Sequence, residues 1–320
     1  MANIPERPML LIDGLNLHTR HYVANPAMSS AGHQVGGVVG FLKGIQLLSN
    51  KLHPKHVCVV WEGGGSPRRR AIFPNYKSKR RPQKLNRYYE NDIPDTVENR
   101  NYQIRLLIEL LRQTTVTQAY VSDCEADDVI GYLVKYKFKD ENCIIVSSDK
   151  DYYQLITDRV LQWSPGQKKF ISRDDVISKF GIPPHNFCLT RCFIGDKSDA
   201  IPGISGAGFK TMAKRFPELS ENRDLTVSEI LELSQERAPK SKIKLYREIN
   251  DNNHIPLRNW KLMYLDSSTL AATQIQKIES NINTFSPKRN KIEFMRTLLR
   301  EGISTFDADM FFMSINAIGR

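Results

Sequence analysis

Three short apolar runs in this chain each lead into an acid. Met9-Leu10-Leu11-Ile12 precedes Asp13, Val57-Cys58-Val59-Val60-Trp61 precedes Glu62, and Ile144-Ile145-Val146 precedes Asp149. Runs of three to five apolar residues are too short for buried helices and suit strands covered on both faces. Strands of this kind alternate here with helical patterns, the mark of an α/β fold with a mostly parallel central sheet. Expected strands are 9–13, 56–61, 117–121, 143–147 and 159–163; expected helices are 36–50, 100–113 and 125–137. An open sheet of this type collects its ligands at the carboxyl ends of the strands, where the acids fall.

Nine acids belong to that gathering: Asp13, Glu62, Glu125, Asp127, Asp128, Asp149, Asp151, Asp196 and Asp199. So many carboxylates in one small space require cations, because like charges raise one another's pKa. Oxygen donors suit hard ions such as Mg²⁺ (or Mn²⁺), in a pair or more, and a metal pair points to phosphate chemistry. Glu125-Ala126-Asp127-Asp128 opens a helix, where acids also serve simply to stabilise the positive helix end. Asp149 and Asp151 follow a strand, a place where lone aspartates are commonly turn residues. The accumulation favours the metal reading.

After about residue 172 the strand patterns stop and helices take over, at 173–180, 185–194, 208–216, 226–236, 241–250 and beyond. A transition near 180 divides an α/β unit, 1–180, from a helical region, 181–320. Residues 64–98 fit neither pattern. From 64 to 88 there is no acid, while Arg68, Arg69, Arg70, Lys77, Lys79, Arg80, Arg81, Lys84 and Arg87 are interleaved with Phe73, Tyr76 and Tyr88. A basic run is often only a solvated face. The aromatics and the nearby acids favour a nucleic-acid contact. The net charge of +11 over 320 residues agrees, since the acids are clustered and the rest of the body is more basic still.

Gly203, Gly206 and Gly208 form a turn entering a helix at Phe209-Lys210-Thr211. Such a turn offers backbone N–H groups to a phosphate, although a plain helix–helix turn would look the same. The five cysteines are an odd number, and two lie in apolar runs, which suits buried thiols in a reducing compartment. Cys188 and Cys192, one helical turn apart without a second pair, read as packing rather than a zinc site. The Phe311-Phe312 segment resembles a clamp-binding peptide only faintly and reads as an amphipathic core helix. No signal-peptide pattern and no apolar stretch of roughly 20 residues is present, so a cytosolic protein away from membranes is expected.

Taken in order, these motifs resemble the 5′ nucleases: flap endonucleases and the 5′ nuclease domain of bacterial DNA polymerase I, with stand-alone phage and bacterial members most similar. Leu11-Ile12-Asp13-Gly14 resembles the opening metal-ligand strand. Glu125-Ala126-Asp127-Asp128, Ser148-Asp149-Lys150-Asp151 and Gly195-Asp196-Lys197-Ser198-Asp199 resemble the later ligand motifs. Gly203 to Gly208 resembles the helix-two turns-helix element, at about 193–217, which in the family grips duplex DNA and can hold K⁺. Arg69 and Tyr76-Lys77-Ser78-Lys79-Arg80 match the base of a helical arch at about 64–100. The resemblance implies that Lys77 is the catalytic lysine at the scissile phosphate and that Arg69 and Arg80 contact phosphates. Tyr76, Lys84 and Arg87 of the arch, with Gly203, Gly206, Gly208 and Lys210 of the turn, would contact DNA. The expected partner is DNA with a 5′ flap or 5′ end, or an RNA primer paired to DNA, bound by a monomer. Glu62 stands where the family usually has aspartate. It is a methylene longer and is expected to act through a bound water or a shifted backbone. The rival readings are a branched-DNA binding protein without cleavage, a PIN-like ribonuclease, and a phosphate-cleaving enzyme for small molecules.

Overall fold

Period-two alternation decides which side chain meets which layer. In the computed structural model, which describes residues 4–80, 97–316 and 318, the apolar runs form the centre of a six-stranded sheet. The strands are β1 (Met9–Asp13), β2 (His56–Trp61), β3 (Thr117–Tyr120), β4 (Cys143–Val146), β5 (Val160–Ser164) and β6 (Lys169–Ile171). Their order is β3-β2-β1-β4-β5-β6. The first five are parallel, and β6 returns antiparallel along the edge of β5. Five strands lie within a residue of expectation. The unexpected β6, Lys169-Phe170-Ile171, is too short to leave a pattern.

Leu10, Ile12, Val57, Val59, Ile144 and Val146 face one core, shared with the helices Gly36–Leu52 and Val97–Leu111. Met9, Leu11, Cys58, Val60, Cys143 and Ile145 face the other, closed by the helix Ala126–Tyr132 and the π turn Leu133–Lys137. The strand order reverses beside β1, so a crevice opens between the ends of β1 and β4. Asp13 and Asp149 flank it. Two helices were not legible in the sequence, Gly14–Ala24 and Pro67–Ile72. The first buries His18 and Tyr22 among its core residues, so its inner face is not an apolar stripe.

Helices from Arg173 onward build a further core around Leu189, Phe193, Met212, Phe216, Ile230 and Ile249. The chain does not stay there. Phe294, Leu298, Phe311 and Phe312 pack into the same core as Leu10 and Phe41, and Ile278 joins the opposite face of the sheet. The expected helical region of 181–320 is therefore divided in its packing, because the last amphipathic helices cover the α/β unit. Phe311 and Phe312 are buried against Phe294. All five cysteines are free thiols and buried; Cys188 and Cys192 pack with Tyr76 and Leu262. No helix among the described residues is long and apolar enough to cross a membrane.

Candidate active site

The carboxyl ends of the parallel strands open into a cleft of about 1040 Å³. Asp13, Glu62, Glu125, Asp127 and Asp149 are among the residues that line it, with Lys77, Lys79, Arg80, Arg20 and Arg100. Asp13 ends β1 and caps the next helix, accepting from the Asn16 N–H at 3.1 Å. Its other oxygen accepts from the Ser147 and Tyr152 hydroxyls, each at 3.2 Å. Burial, reinforced by Asp149, pushes its pKa up to about 6. Glu62 follows β2 directly and accepts from the Ala126 N–H at 3.3 Å. Burial and then the Glu125 charge push it up to about 7. Its side chain thus reaches the first turn of the acid-bearing helix.

That helix is held by one arginine. Arg69, 1 % exposed, donates from Nη1 to Glu125 at 2.6 Å and Asp127 at 3.3 Å, and from Nη2 to Asp128 at 2.8 Å. Its Nε donates to the Leu262 carbonyl at 2.8 Å. Burial disfavours the guanidinium charge, but Asp127 and Asp128 outweigh it and hold the group firmly cationic. Burial likewise disfavours both carboxylates; Arg69 and Lys77 nevertheless keep Asp127 below the ordinary range, while Asp128, beside that charge, is pushed up to about 7. Glu125 also accepts from the Tyr76 hydroxyl at 2.8 Å and from Lys77 Nζ at 2.6 Å. Lys77 adopts a left-handed backbone, φ 58°, and its N–H donates to the Asp199 carbonyl at 2.8 Å. Burial works against its ammonium, yet Glu125 and Asp127 raise its pKa above the ordinary value.

The remaining acids form a second group. Asp149 accepts from the Asp151 N–H at 2.9 Å, and burial raises its pKa. Burial and Asp149 push Asp151 up to about 8. Arg191 lies 3.1 Å from Asp151 and also binds Asp196. Burial opposes the Asp196 charge, but Arg191 and Ser198 bring its pKa below the usual range. Asp199 is buried and holds Arg80 at 2.7 Å.

Among the described residues no three acidic, histidine or cysteine side chains converge as a ready metal cage. Arg69, Lys77, Arg80 and Arg191 hold oxygens of Glu125, Asp127, Asp128, Asp151, Asp196 and Asp199, whereas Asp13, Glu62 and Asp149 accept from backbone N–H and hydroxyl groups. The donor set itself is all oxygen, as suits a hard divalent cation. Asp13, Glu62, Glu125, Asp127 and Asp149 are the carboxylates that such ions would meet in the cleft. Asp128, Asp151, Asp196 and Asp199 are not among the residues that line it, and of these Asp151 and Asp196 are half-buried. The expectation that Arg69 meets phosphate runs against its burial, with each of its three guanidinium nitrogens donating to a protein acceptor.

The glycine turn is fixed by close backbone approach. A Cβ on Gly203 would sit 2.0 Å from the Ile194 carbonyl oxygen, so no side chain fits there. Gly206, at φ 79°, and Gly208 have open space where a Cβ would go, and Lys210 beside them is exposed. This leaves their backbone accessible from outside. Lys84 and Arg87 lie outside the described residues.

Several site residues escaped the sequence reading. Ser147 and Tyr152 anchor Asp13, Arg191 bridges two acids, and Arg20 and Arg100 add charge to the cleft. Asn259 is wholly buried and donates to the Cys192 and Pro202 carbonyls at 2.8 and 2.9 Å. On the same helix, His254–Met263, the Leu262 carbonyl binds Arg69 and the Met263 carbonyl accepts from Gln154 at 3.1 Å. One helix thereby joins the glycine turn to both acid groups. Its exposed Leu257 and Lys261 give no hint of this in sequence.

Comparison with known proteins agrees with this geometry. Residues 8–181 match the family model described as 5′-3′ exonuclease, N-terminal resolvase-like domain. A 5′-3′ exonuclease of Aquifex aeolicus is 32% identical over 207 residues, 64% of this chain and 67% of that protein. Flap endonuclease Xni of Shewanella sp. (strain W3-18-1) is 32% identical over 218 residues, 66% of this chain and 76% of its own length. In fold, the D15 protein of phage T5, crystallised with metal ions, superposes with a TM-score of 0.67 at 21% identity, covering 85% of this chain and 96% of that one. A family match over more than half the chain, on the sheet that carries the acids, places the protein in the 5′-3′ exonuclease family.

Proposed function

We propose that this chain is a structure-specific 5′ nuclease that hydrolyses phosphodiester bonds at DNA flaps and 5′ ends, including RNA primers paired to DNA, as a monomer in the cytoplasm. The observation that carries the reading is the cleft itself: carboxylates from three strand ends line it together with Lys77 and Arg80. Asp13, Glu125, Asp127 and Asp149 would hold Mg²⁺ or Mn²⁺, with Glu62 reaching in from β2. Bound divalent ions supply activation of water and neutralisation of charge on the leaving oxygen. The chain's own residues position the rest. Lys77, fastened by its backbone to Asp199, presents its ammonium from beside Glu125 and offsets charge on the scissile phosphate. Arg80 and Lys79 contact neighbouring phosphates. Gly206 and Gly208 take the duplex behind the cut by their open backbone, a place where K⁺ would also bind. Tyr76 steadies Glu125 from within, and the arch residues Lys84 and Arg87 contact the single strand.

The test is cleavage-site mapping on labelled flap, nicked and single-stranded DNA, with Mg²⁺ and with chelator. Metal-dependent incision near the flap junction is expected. Tight flap binding with no incision in Mg²⁺ or Mn²⁺ would instead favour a branched-DNA binding protein, a reading supported by the acids being held by internal cations.

A further inference from the structure

Two arginines, buried Arg69 and half-buried Arg191, serve the acids in different ways. Arg69 uses Nε, Nη1 and Nη2, and every one of these has an acceptor. Arg191 does not. Its Nη2 alone serves both carboxylates, Asp151 at 3.1 Å and Asp196 more closely. Its Nε is buried with no hydrogen-bond partner among the described residues. A guanidinium that leaves a buried donor idle while one nitrogen is shared between two acids is poorly satisfied.

The acids, by contrast, are well placed to stay where they are. Asp196 is fastened by the Ser198 N–H at 2.9 Å and hydroxyl at 2.7 Å. Asp151 begins a 3₁₀ turn that packs on the arginine's own helix, Pro184–Ile194. The Asp196 carboxylate is thus fixed by its own loop, Asp151 is placed through its backbone, and the arginine between them keeps an idle donor.

We propose that Arg191 is an exchangeable internal counter-ion: it keeps Asp151 and Asp196 together without metal, and a divalent cation reaching this half-buried acid pair competes with it for their oxygens. This rests on the metal-dependent reading above. Arg191 is a positioning residue, touching neither substrate nor reacting atoms. The exchange also accounts for the lack of a ready metal cage in this acid group, since the oxygens are committed to the arginine.

The experiment is calorimetric titration of the full chain with Mn²⁺, comparing wild type, Arg191→Gln and, as a control for general loss of charge, Arg223→Gln. Arg223 pairs with Glu221 and Glu229 on the surface. Arg191→Gln should bind its weakest Mn²⁺ about tenfold more tightly, the scale of one nearby competing charge in a partly solvated site. Adding Asp196→Asn should remove that gain, and Arg223→Gln should match wild type. A merely structural bridge would lower stability without tightening Mn²⁺. A second measurement needs only wild-type protein at saturation: the Arg191 Nε–H resonance, assigned by its loss in Arg191→Lys, should shift on adding Mg²⁺. If wild type binds Mn²⁺ and cleaves while Arg191→Gln binds no tighter, or if the resonance stays in place, the inference fails and the nuclease reading stands. If wild type neither binds the ion nor cleaves, both fail.

Discussion

Arg69 donates its Nε–H to the carbonyl oxygen of Leu262, 2.8 Å away and 193 residues later in the chain. The bond completes the hydrogen bonding of a guanidinium whose other donors hold Glu125, Asp127 and Asp128. The acid-bearing helix is therefore set by a C-terminal segment that contributes no acid itself.

Removing that guanidinium should be severe. Arg69→Gln takes the guanidinium from Glu125, Asp127 and Asp128, of which Glu125 keeps Lys77, and breaking a buried pair such as Arg69–Asp128 typically costs about 3–5 kcal/mol. Urea unfolding should show a loss of that order. Arg69→Lys should recover little of it, because one ammonium cannot span acceptors on opposite sides of a planar fork.

The cleft acids should separate chemistry from binding. Asp13→Ala and Asp149→Ala are expected to abolish incision in Mg²⁺ while flap DNA still binds, since basic residues carry the affinity. At position 62 the carboxylate is expected to matter more than its length: Glu62→Gln should be badly impaired and Glu62→Asp should keep much of the activity. Cleavage rates beside anisotropy titrations decide each case. Near wild-type incision by Glu62→Gln would remove that residue from the site.

Lys77 is placed to act on the rate. Single-turnover cleavage by Lys77→Ala should slow by about 10²–10³, the usual effect of losing one preorganised charge at a reacting phosphate. Folding, followed by circular dichroism, should not change. A defect confined to KM would make Lys77 a binding contact.

Stability should depend on pH in a direction set by burial. Asp13, Glu62 and Asp151 have folded-state pKa values of about 6, 7 and 8, against about 4 for unfolded carboxyls. A carboxyl that binds its proton more tightly when folded stabilises the fold below about pH 4, and loses that contribution as pH rises through its folded value. In chelator the melting temperature should thus fall between about pH 4 and pH 8, and added Mg²⁺ should reduce the fall. Asp127 and Asp196 are shifted the other way, so their contribution is lost below about pH 4. A melting temperature that rises steadily from pH 5 to 8 in chelator would contradict the burial of these acids.

Asn259 offers a test of the helix that joins the glycine turn to the acids. Asn259→Leu strands the Cys192 and Pro202 carbonyls, at a cost of about 1–3 kcal/mol. Displacement of the turn should also weaken binding to plain duplex more than to single strands. Equal losses on both, measured by anisotropy, would reduce Asn259 to a packing residue.

The sequence by itself determined the strands and where their acids would emerge. Burial on both faces is a property of consecutive residues, so Met9 to Ile12 and Ile144 to Val146 announce central strands, and Asp13 and Asp149 must follow at one edge of the sheet. Turn chemistry is local as well, which makes Gly203 to Gly208 legible. Only the tertiary structure decided which cation holds which acid. Arg69 meets Glu125 and Leu262, and Arg191 meets Asp151, through distances in space that no period along the chain encodes. The same holds for Phe294, Phe311 and Phe312: their amphipathic pattern promises a buried face, but the packing of the whole chain selects the sheet as its cover. The helix Gly14–Ala24 stayed hidden because His18 occupies part of its inner face, where a sequence reading looks for apolar residues.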